Sequence, residues 1–233
     1  MLRCLLLGVW LALTPLALTA CAATSNPQAS GCATAASPCL QGNAIVQFET
    51  SKGAVRLQLD GQAAPLTAGN FVDLVKRGVY NNTIFHRVVR EPAPFVVQGG
   101  DPQSADPKVP VNQLGTGSFV DPASGEARLI PLEIGLRSEP QPRYGATVTT
   151  PGISDQLRLS HQRGALAMAR SSDPDSASAQ FYIALQALPE LDGSYAVFGR
   201  VISGMDVVDR LQQGDRLVRA TLVEGGTLVQ GQP

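Results

Sequence analysis

Phe85-His86-Arg87-Val88-Val89, the spacer Arg90-Glu91-Pro92-Ala93-Pro94, and then Phe95-Val96-Val97-Gln98-Gly99-Gly100-Asp101 form the stretch on which the reading of this chain turns. On either side of the spacer lies a short apolar run, residues 84–89 and 95–98, rich in β-branched and aromatic side chains, and each predicts a strand. Gly99-Gly100 predicts a tight turn that a Cβ would obstruct. Arg87, a cation inside an apolar run, is either a surface ion-pair partner or a functional group.

Working outward, residues 45–49 and 54–59 predict two strands joined by a hairpin turn at Ser51-Lys52-Gly53. Residues 65–78 predict a helix: Pro65 suits a first turn, Phe71, Leu74 and Val75 share a face, and Gly78 suits the C-terminal cap. Further strands are expected at 164–168, 181–185, 196–201 and 217–223, with a short helix marked by Met205, Val208 and Leu211 and closed by Gly214. Many short strands, few helices and frequent Gly and Pro predict a mainly β fold, a closed barrel with two peripheral helices. No internal repeat is visible. Residues 102–160, with many Pro, Gly and Ser, are expected to form long surface loops.

With 233 residues, 44% of them hydrophobic, the chain can bury the core of one medium domain and has sequence to spare. A net charge of −1 with singly scattered arginines implies no nucleic-acid-binding face. The spare sequence lies at the start. One positive charge at Arg3 precedes a nearly apolar run over 5–18, broken by Thr14 and Pro15 and too short for a comfortable membrane span. Residues 1–20 therefore read as an export signal. Residues 21–43 read as a flexible tether rich in Ala, Ser, Thr, Gly and Pro, and 44–230 as the domain.

Leu18-Thr19-Ala20-Cys21 resembles the lipobox of bacterial lipoproteins, which implies cleavage before Cys21 and acylation of its thiol and amine. Several acyl chains, at about 0.8 kcal/mol per buried methylene, anchor a protein stably where one does not. The alternative is ordinary secretory cleavage at Ala20-Cys21-Ala22. Of the other cysteines, Cys4 would leave with the signal, while Cys32 and Cys39 could pair in an oxidising compartment, a point left open. Within a tether such a bridge would add little stability. No Cys-x2-Cys spacing occurs and His86 and His161 are the only histidines, so no metal site is expected.

The opening stretch resembles the signature of the cyclophilins, Phe-His-Arg followed by a short spacer and Phe-x-x-Gln-Gly-Gly-Asp. Further blocks follow in the family's order: His161-Gln162-Arg163-Gly164 running on to Met168-Ala169-Arg170, then Ser178-Ala179-Gln180-Phe181-Tyr182-Ile183, Leu191-Asp192-Gly193 and Val197-Phe198-Gly199-Arg200-Val201. The resemblance spans residues 44–224 and implies an eight-stranded antiparallel barrel that isomerises Xaa-Pro bonds of exported proteins without a cofactor. Its partners would be proline-containing polypeptides and, through the lipid, a membrane facing the periplasm or an equivalent lumen; a monomer is expected.

That chemistry explains the residue types. Resonance opposes rotation about a peptide bond by about 18–20 kcal/mol. No bond breaks, so the catalyst only has to bind the twisted amide better than the planar one. In the twisted state the proline nitrogen regains its lone pair, and a fixed cation directed at it disfavours resonance. Arg87 is the candidate, because its charge is permanent and its planar fork holds orientation. The resemblance implies that Gln98 binds substrate backbone, that Phe95 and Tyr182 wall a proline pocket, that Val96 and Leu191 extend it, and that the main chain at Ala169 and Arg170 holds the extended peptide. His86 and His161 are expected to be structural, since no proton transfer is required. Departures from the best-known members are Val96 for methionine, Tyr182 for phenylalanine, Arg170 for asparagine, Tyr195 for histidine and Glu190 for a rim tryptophan, the last placing cyclosporin binding in question. Residues 135–160 exceed the family's usual length and suggest a flap. The competing readings are a non-catalytic proline-peptide binder or envelope scaffold and, less well supported, a small-ligand carrier barrel, whose large apolar interior the side-chain-filled family barrel lacks.

Overall fold

Residues 31–34 and 37–230 are described by a computed structural model, and one antiparallel sheet dominates them. Its strands are β1 (Cys39–Thr50), β2 (Gly53–Asp60), β3 (Thr83–Ile84), β4 (Arg87–Val88), β5 (Val96–Gly99), β8 (Ala165–Met168), β9 (Phe181–Ala184), β10 (Val197–Ser203) and β11 (Arg216–Val229), while β6 (Glu133–Ile134) and β7 (Arg143–Tyr144) form a separate pair. The helices are α1 (Gly31–Thr34), α2 (Pro65–Lys76), α3 (Ile153–Gln156) and α4 (Met205–Arg210). Of these, α2 and α4 are the two helices expected, and α1 and α3 are single turns.

The strand order is β3-β11-β1-β2-β10-β8-β9-β5-β4. Only Phe85 and His86 separate the two edge strands, so the sheet curls until both edges lie on the stretch 83–88. The seam of this barrel is the chain itself; among the described residues no ladder joins β3 to β4. The single strand expected over 84–89 is thereby divided. Phe85 causes the break, because its N–H donates to Asp215 O and its carbonyl accepts from Gly214 N, which takes its backbone out of the ladder.

Inside the curl, alternate side chains fill the volume. Phe48, Phe71, Tyr80, Phe181 and Phe198 are fully buried, and Phe71 lies 4.9 Å from Tyr80 and 5.0 Å from Phe198 between ring centroids. Phe71 comes from α2, whose apolar face packs on β1 and β11. Truncating it to alanine would cost about 3–5 kcal/mol. The first turn of α2 receives no side-chain cap from Ala64. Instead the Glu133 carboxylate accepts from Leu66 N at 3.1 Å and Thr67 N at 2.7 Å, and from the Tyr144 hydroxyl at 2.9 Å.

Two sequence expectations need correction. Strand β1 begins at Cys39, ahead of the expected domain start at Ala44, and Ser37, Cys39 and Leu40 are buried. The reason lies on α2: a Cβ on Gly69 would stand 2.2 Å from Pro38 O, so only glycine lets this segment lie against the helix. Cys32 and Cys39 form a disulfide, with Cα atoms 5.7 Å apart, which ties α1 to the first residue of β1 rather than closing a loop in a free tether. The stretch 102–160 is also more than surface loop. Leu132, Ile134, Leu136, Val148 and Leu157 pack with Ala196 into a small core of their own around β6.

Candidate active site

Strand register assembles the site. Arg87 pairs with Gln98 across β4 and β5, Gln98 with Tyr182 across β5 and β9, and Tyr182 with Ala167 across β9 and β8. Directly opposed residues share a face, so Arg87, Gln98 and Tyr182 form one row on the outside of the curl. Their strand neighbours Val97, Phe181 and Ile183 point the other way, into the main core. The outer face has a second apolar cluster of Val96, Ala165, Ala167, Tyr182, Ala184 and Val197, with Phe95, Leu191 and Tyr195 packed on it. Ala165, Ala167 and Ala184 are buried within this cluster, and the room left above the sheet lies over Val96 and Tyr182.

That room is a cavity of about 270 Å³ lined by Arg87, Phe95, Val96, Gln98, Ala169, Arg170, Tyr182, Leu191 and Tyr195. Every substrate-contacting residue expected from the sequence lies on it; Tyr195 is the addition. Arg87 is exposed at the rim, its Cζ 5.8 Å from the Phe95 ring centroid, and its Nη1 donates to Gln98 Oε1 at 3.3 Å. Gln98 Nε2 donates to Gln180 Oε1 at 3.2 Å, and Gln180 Nε2 to Gly117 O at 2.9 Å. This amide chain fixes Gln98 and leads into an adjoining cavity of about 390 Å³, which shares Gln98, Ala169 and Arg170 and is further lined by Leu129, Gln180 and hydroxyl-rich loops at 115–118 and 171–178. Buried Asp101 shapes the first of those loops by accepting from Gly115 N at 2.6 Å and Gly117 N at 3.2 Å.

Arg170 has a part not anticipated from its family position. Its fork donates to Ser194 O from Nε at 3.0 Å and Nη2 at 2.6 Å, and to Ser171 O from Nη1 at 2.8 Å, while its Cζ stacks 4.7 Å from the Tyr195 ring. It clamps the turn at 191–195 to the end of β8.

The hydroxyl that Tyr182 adds to an apolar cavity is satisfied from behind. It lies 2.8 Å from His161 Nε2, and His161 Nδ1 lies 2.7 Å from Asp192 Oδ1. An ionised carboxylate only accepts, so Nδ1 carries the imidazole proton and Nε2 accepts from the phenol. Burial lowers the His161 pKa, opposed by Asp192, and burial raises that of Tyr182, so both stay neutral near pH 7. His161 is thus a hydrogen-bonded structural histidine. His86 is buried with burial likewise lowering its pKa, but its ring nitrogens have no hydrogen-bond partner among the described residues. Glu190 is exposed and does not line the cavity. Cys21 and the export signal fall outside the described residues.

The loops at 115–118 and 171–178 were not legible as site residues, because they carry no apolar periodicity; Ser178 and Gln180, which line the second cavity, stood in the quoted block around Phe181 without a role.

A curled antiparallel sheet bearing an apolar cavity on its outer face, with a guanidinium and an amide at the rim, defines a cyclophilin-like protein. Residues 45–225 match the family model described as cyclophilin type peptidyl-prolyl cis-trans isomerase/CLD. The chain is 36% identical over 205 residues to a putative thylakoid lumen peptidyl-prolyl cis-trans isomerase of Synechocystis sp., covering 83% of this chain and 51% of that protein. It therefore spans about half the length of that relative. It is 38% identical over 173 residues to peptidyl-prolyl cis-trans isomerase A of Dickeya dadantii, covering 72% of this chain and 70% of the relative. A solved Cryptosporidium parvum cyclophilin type isomerase, crystallised in the presence of the dipeptide Ala-Pro, superposes with a TM-score of 0.57 at 25% identity, covering 78% of this chain and 99% of that one. The chain belongs to the cyclophilin-type peptidyl-prolyl cis-trans isomerases.

Proposed function

We propose that this protein isomerises Xaa-Pro bonds in exported polypeptides, with Arg87 as the catalytic cation and Gln98 holding both the substrate backbone and the guanidinium. The observation that carries this reading is the row Arg87, Gln98, Tyr182 across three neighbouring strands, above an apolar cavity of about 270 Å³. A proline ring enters against Phe95, Val96, Leu191 and Tyr182, which offer no strong polar partner to the planar ground state. The amide beside the ring then lies at the rim, under the guanidinium. As the bond twists, the nitrogen lone pair localises and the cation gains an interaction absent from either planar isomer. A preference of about 3–4 kcal/mol for the twisted form gives a rate gain of about 10²–10³. No proton moves and no covalent intermediate forms.

The hydroxyl-rich second cavity, joined to the first through Gln98, Ala169 and Arg170, suits a neighbouring side chain of an extended peptide. A protein that only bound proline peptides would use the same apolar walls, yet would gain nothing from a cation at the rim. Following isomerisation and peptide affinity together in one preparation of the full chain tests the proposal. Tight binding without acceleration would replace it by the binder.

The site of action we propose is the outside of a cytoplasmic membrane, with the mature protein a monomer held by lipid on Cys21. The charged start, apolar run and lipobox-like Leu18-Thr19-Ala20-Cys21 support it, as does the disulfide, which suits an oxidising compartment. The Synechocystis relative is named for a lumen, which is said of that protein. Mass spectrometry of the mature N-terminus decides: a diacylglyceryl mass on Cys21 supports the anchor, and an unmodified start beyond it contradicts it.

A further inference from the structure

Behind the cavity, the chain from Tyr182 through His161 to Asp192 does not end at Asp192. The second carboxylate oxygen, Oδ2, accepts from the hydroxyl of Ser154 at 2.6 Å. Ser154 lies on α3, in the stretch 135–160 that exceeds the family's usual length. The same stretch grips the neighbouring turn a second time, where Val148 N donates to Gly193 O at 2.9 Å. That approach needs glycine: Gly193 has φ +74°, and a Cβ there would stand 2.0 Å from Val148 O. Ile153 and Val148 are anchored in turn on the small core of Leu132, Ile134, Leu136 and Leu157. The turn so held supplies Leu191 and Tyr195 to one wall of the cavity, and its Ser194 carbonyl holds Arg170. Asp192, from the same turn, orients His161 twice, through Nδ1 and through the backbone N–H at 2.8 Å.

We propose that the segment 148–154 positions the walls of the proline cavity, with Ser154 a positioning residue that acts on Tyr182 through Asp192 and His161. The physical reason is that a tyrosine hydroxyl in an apolar wall must have a partner, and that partner must itself be fixed for the ring to hold one position. Ser154 orients the carboxylate, the carboxylate sets the tautomer and plane of the imidazole, and Nε2 then holds the phenol away from the proline. Removing the Tyr182 hydroxyl makes the rest of the chain irrelevant to the ring. The inference rests on the proposed use of the cavity for proline, but its test also has a readout that requires no catalysis.

That test is a double-mutant cycle on the full chain with Ser154→Ala, Tyr182→Phe and both together, reading affinity for a proline-containing peptide alongside kcat and KM. Ser154→Ala is expected to weaken peptide affinity about fivefold and to raise KM in step, leaving kcat nearly unchanged because Arg87 is not moved. Ser154→Thr, which keeps the hydroxyl, is expected to restore both. In the Tyr182→Phe background the Ser154→Ala effect should largely vanish, the non-additivity expected of residues in one network. Full additivity, or loss in Ser154→Ala that Ser154→Thr does not rescue, overturns the positioning role. Coupled peptide affinities in a wild-type chain that does not isomerise would uphold the positioning role and overturn the enzymatic reading instead.

Discussion

Arg87 and Gln98 stand directly opposite each other in the β4–β5 ladder, and the guanidinium donates to the amide oxygen at 3.3 Å. A neutral acceptor is well matched to this place, since it orients the cation without neutralising it. Gln98→Glu should therefore lower kcat/KM about tenfold or more although its shape is nearly conserved, because a carboxylate would pair with Arg87 and compete with the developing lone pair. The change also removes the Nε2 donor to Gln180 Oε1, so thermal stability should fall by about 1 kcal/mol. Steady-state kinetics and a melting curve on the one variant check both halves.

His161 gives a pH prediction whose sign is fixed by burial. Its folded pKa lies below the ordinary 6.5, chiefly by desolvation with Asp192 opposing. Between those two values the unfolded chain binds more protons than the folded one, so the histidine's contribution to stability is present above about 6.5 and lost as pH falls toward the folded pKa. The buried His86 acts in the same direction. Glu133 acts oppositely, because burial raises its pKa above 4.5 and stability is lost as pH rises through that higher value. An imidazole NMR titration resolves the two histidines apart from Glu133: the His161 midpoint is expected below 6.5, with Nδ1 protonated in the neutral form. A midpoint above it would mean that Asp192 outweighs burial, and would contradict a neutral His161 accepting from the Tyr182 phenol.

Glu133 caps α2 from another part of the chain, which makes the stretch 102–160 a contributor to the stability of the barrel. Glu133→Ala removes the acceptor from Leu66 N and Thr67 N and leaves the Tyr144 hydroxyl unpaired. The expected loss is about 2–4 kcal/mol, combining a lost cap with stranded donors. Tyr144→Phe, which removes one donor and strands nothing but a capped carboxylate, should cost about 1 kcal/mol. Denaturant melts of the two variants give the order.

Reduction of the Cys32–Cys39 bridge should lower stability without touching catalysis, since neither cysteine lines the cavity. The residues from Cys32 to Cys39 close a short loop, for which chain entropy gives about 2.5 kcal/mol as an upper figure. Melting curves with and without reductant measure it, and a loss of activity at temperatures where the fold persists would be unexpected.

Much of this architecture was legible because side-chain alternation is local. The strands around Phe48, Leu57, Val97 and Phe198 and the helix through Phe71 announced themselves through short-range pattern, and the Arg87 and Gln98 blocks through their order along the chain. What stayed hidden depends on distant partners. The break at Phe85 is set by Gly214 and Asp215, the early start of β1 by the space above Gly69, and the cap of α2 by Glu133, far along the sequence. The partner of the Tyr182 hydroxyl could be anticipated as a need but not as a residue. Ser154 gave no signal at all, because a serine in an aperiodic stretch has no neighbour in sequence that reveals its contact.

The most direct measurement compares kcat/KM and peptide affinity for Arg87→Ala with the parent chain on a proline-containing peptide. Arg87 is exposed and hydrogen-bonds through its side chain to Gln98, so the melting temperature should hold, as surface substitutions usually stay within about 0.5 kcal/mol. The prediction is a fall in kcat/KM of about a hundredfold or more with affinity changed only a little. Turnover equal to that of the parent, in a folded variant that still binds the peptide, would contradict the assignment of the guanidinium to the twisted amide.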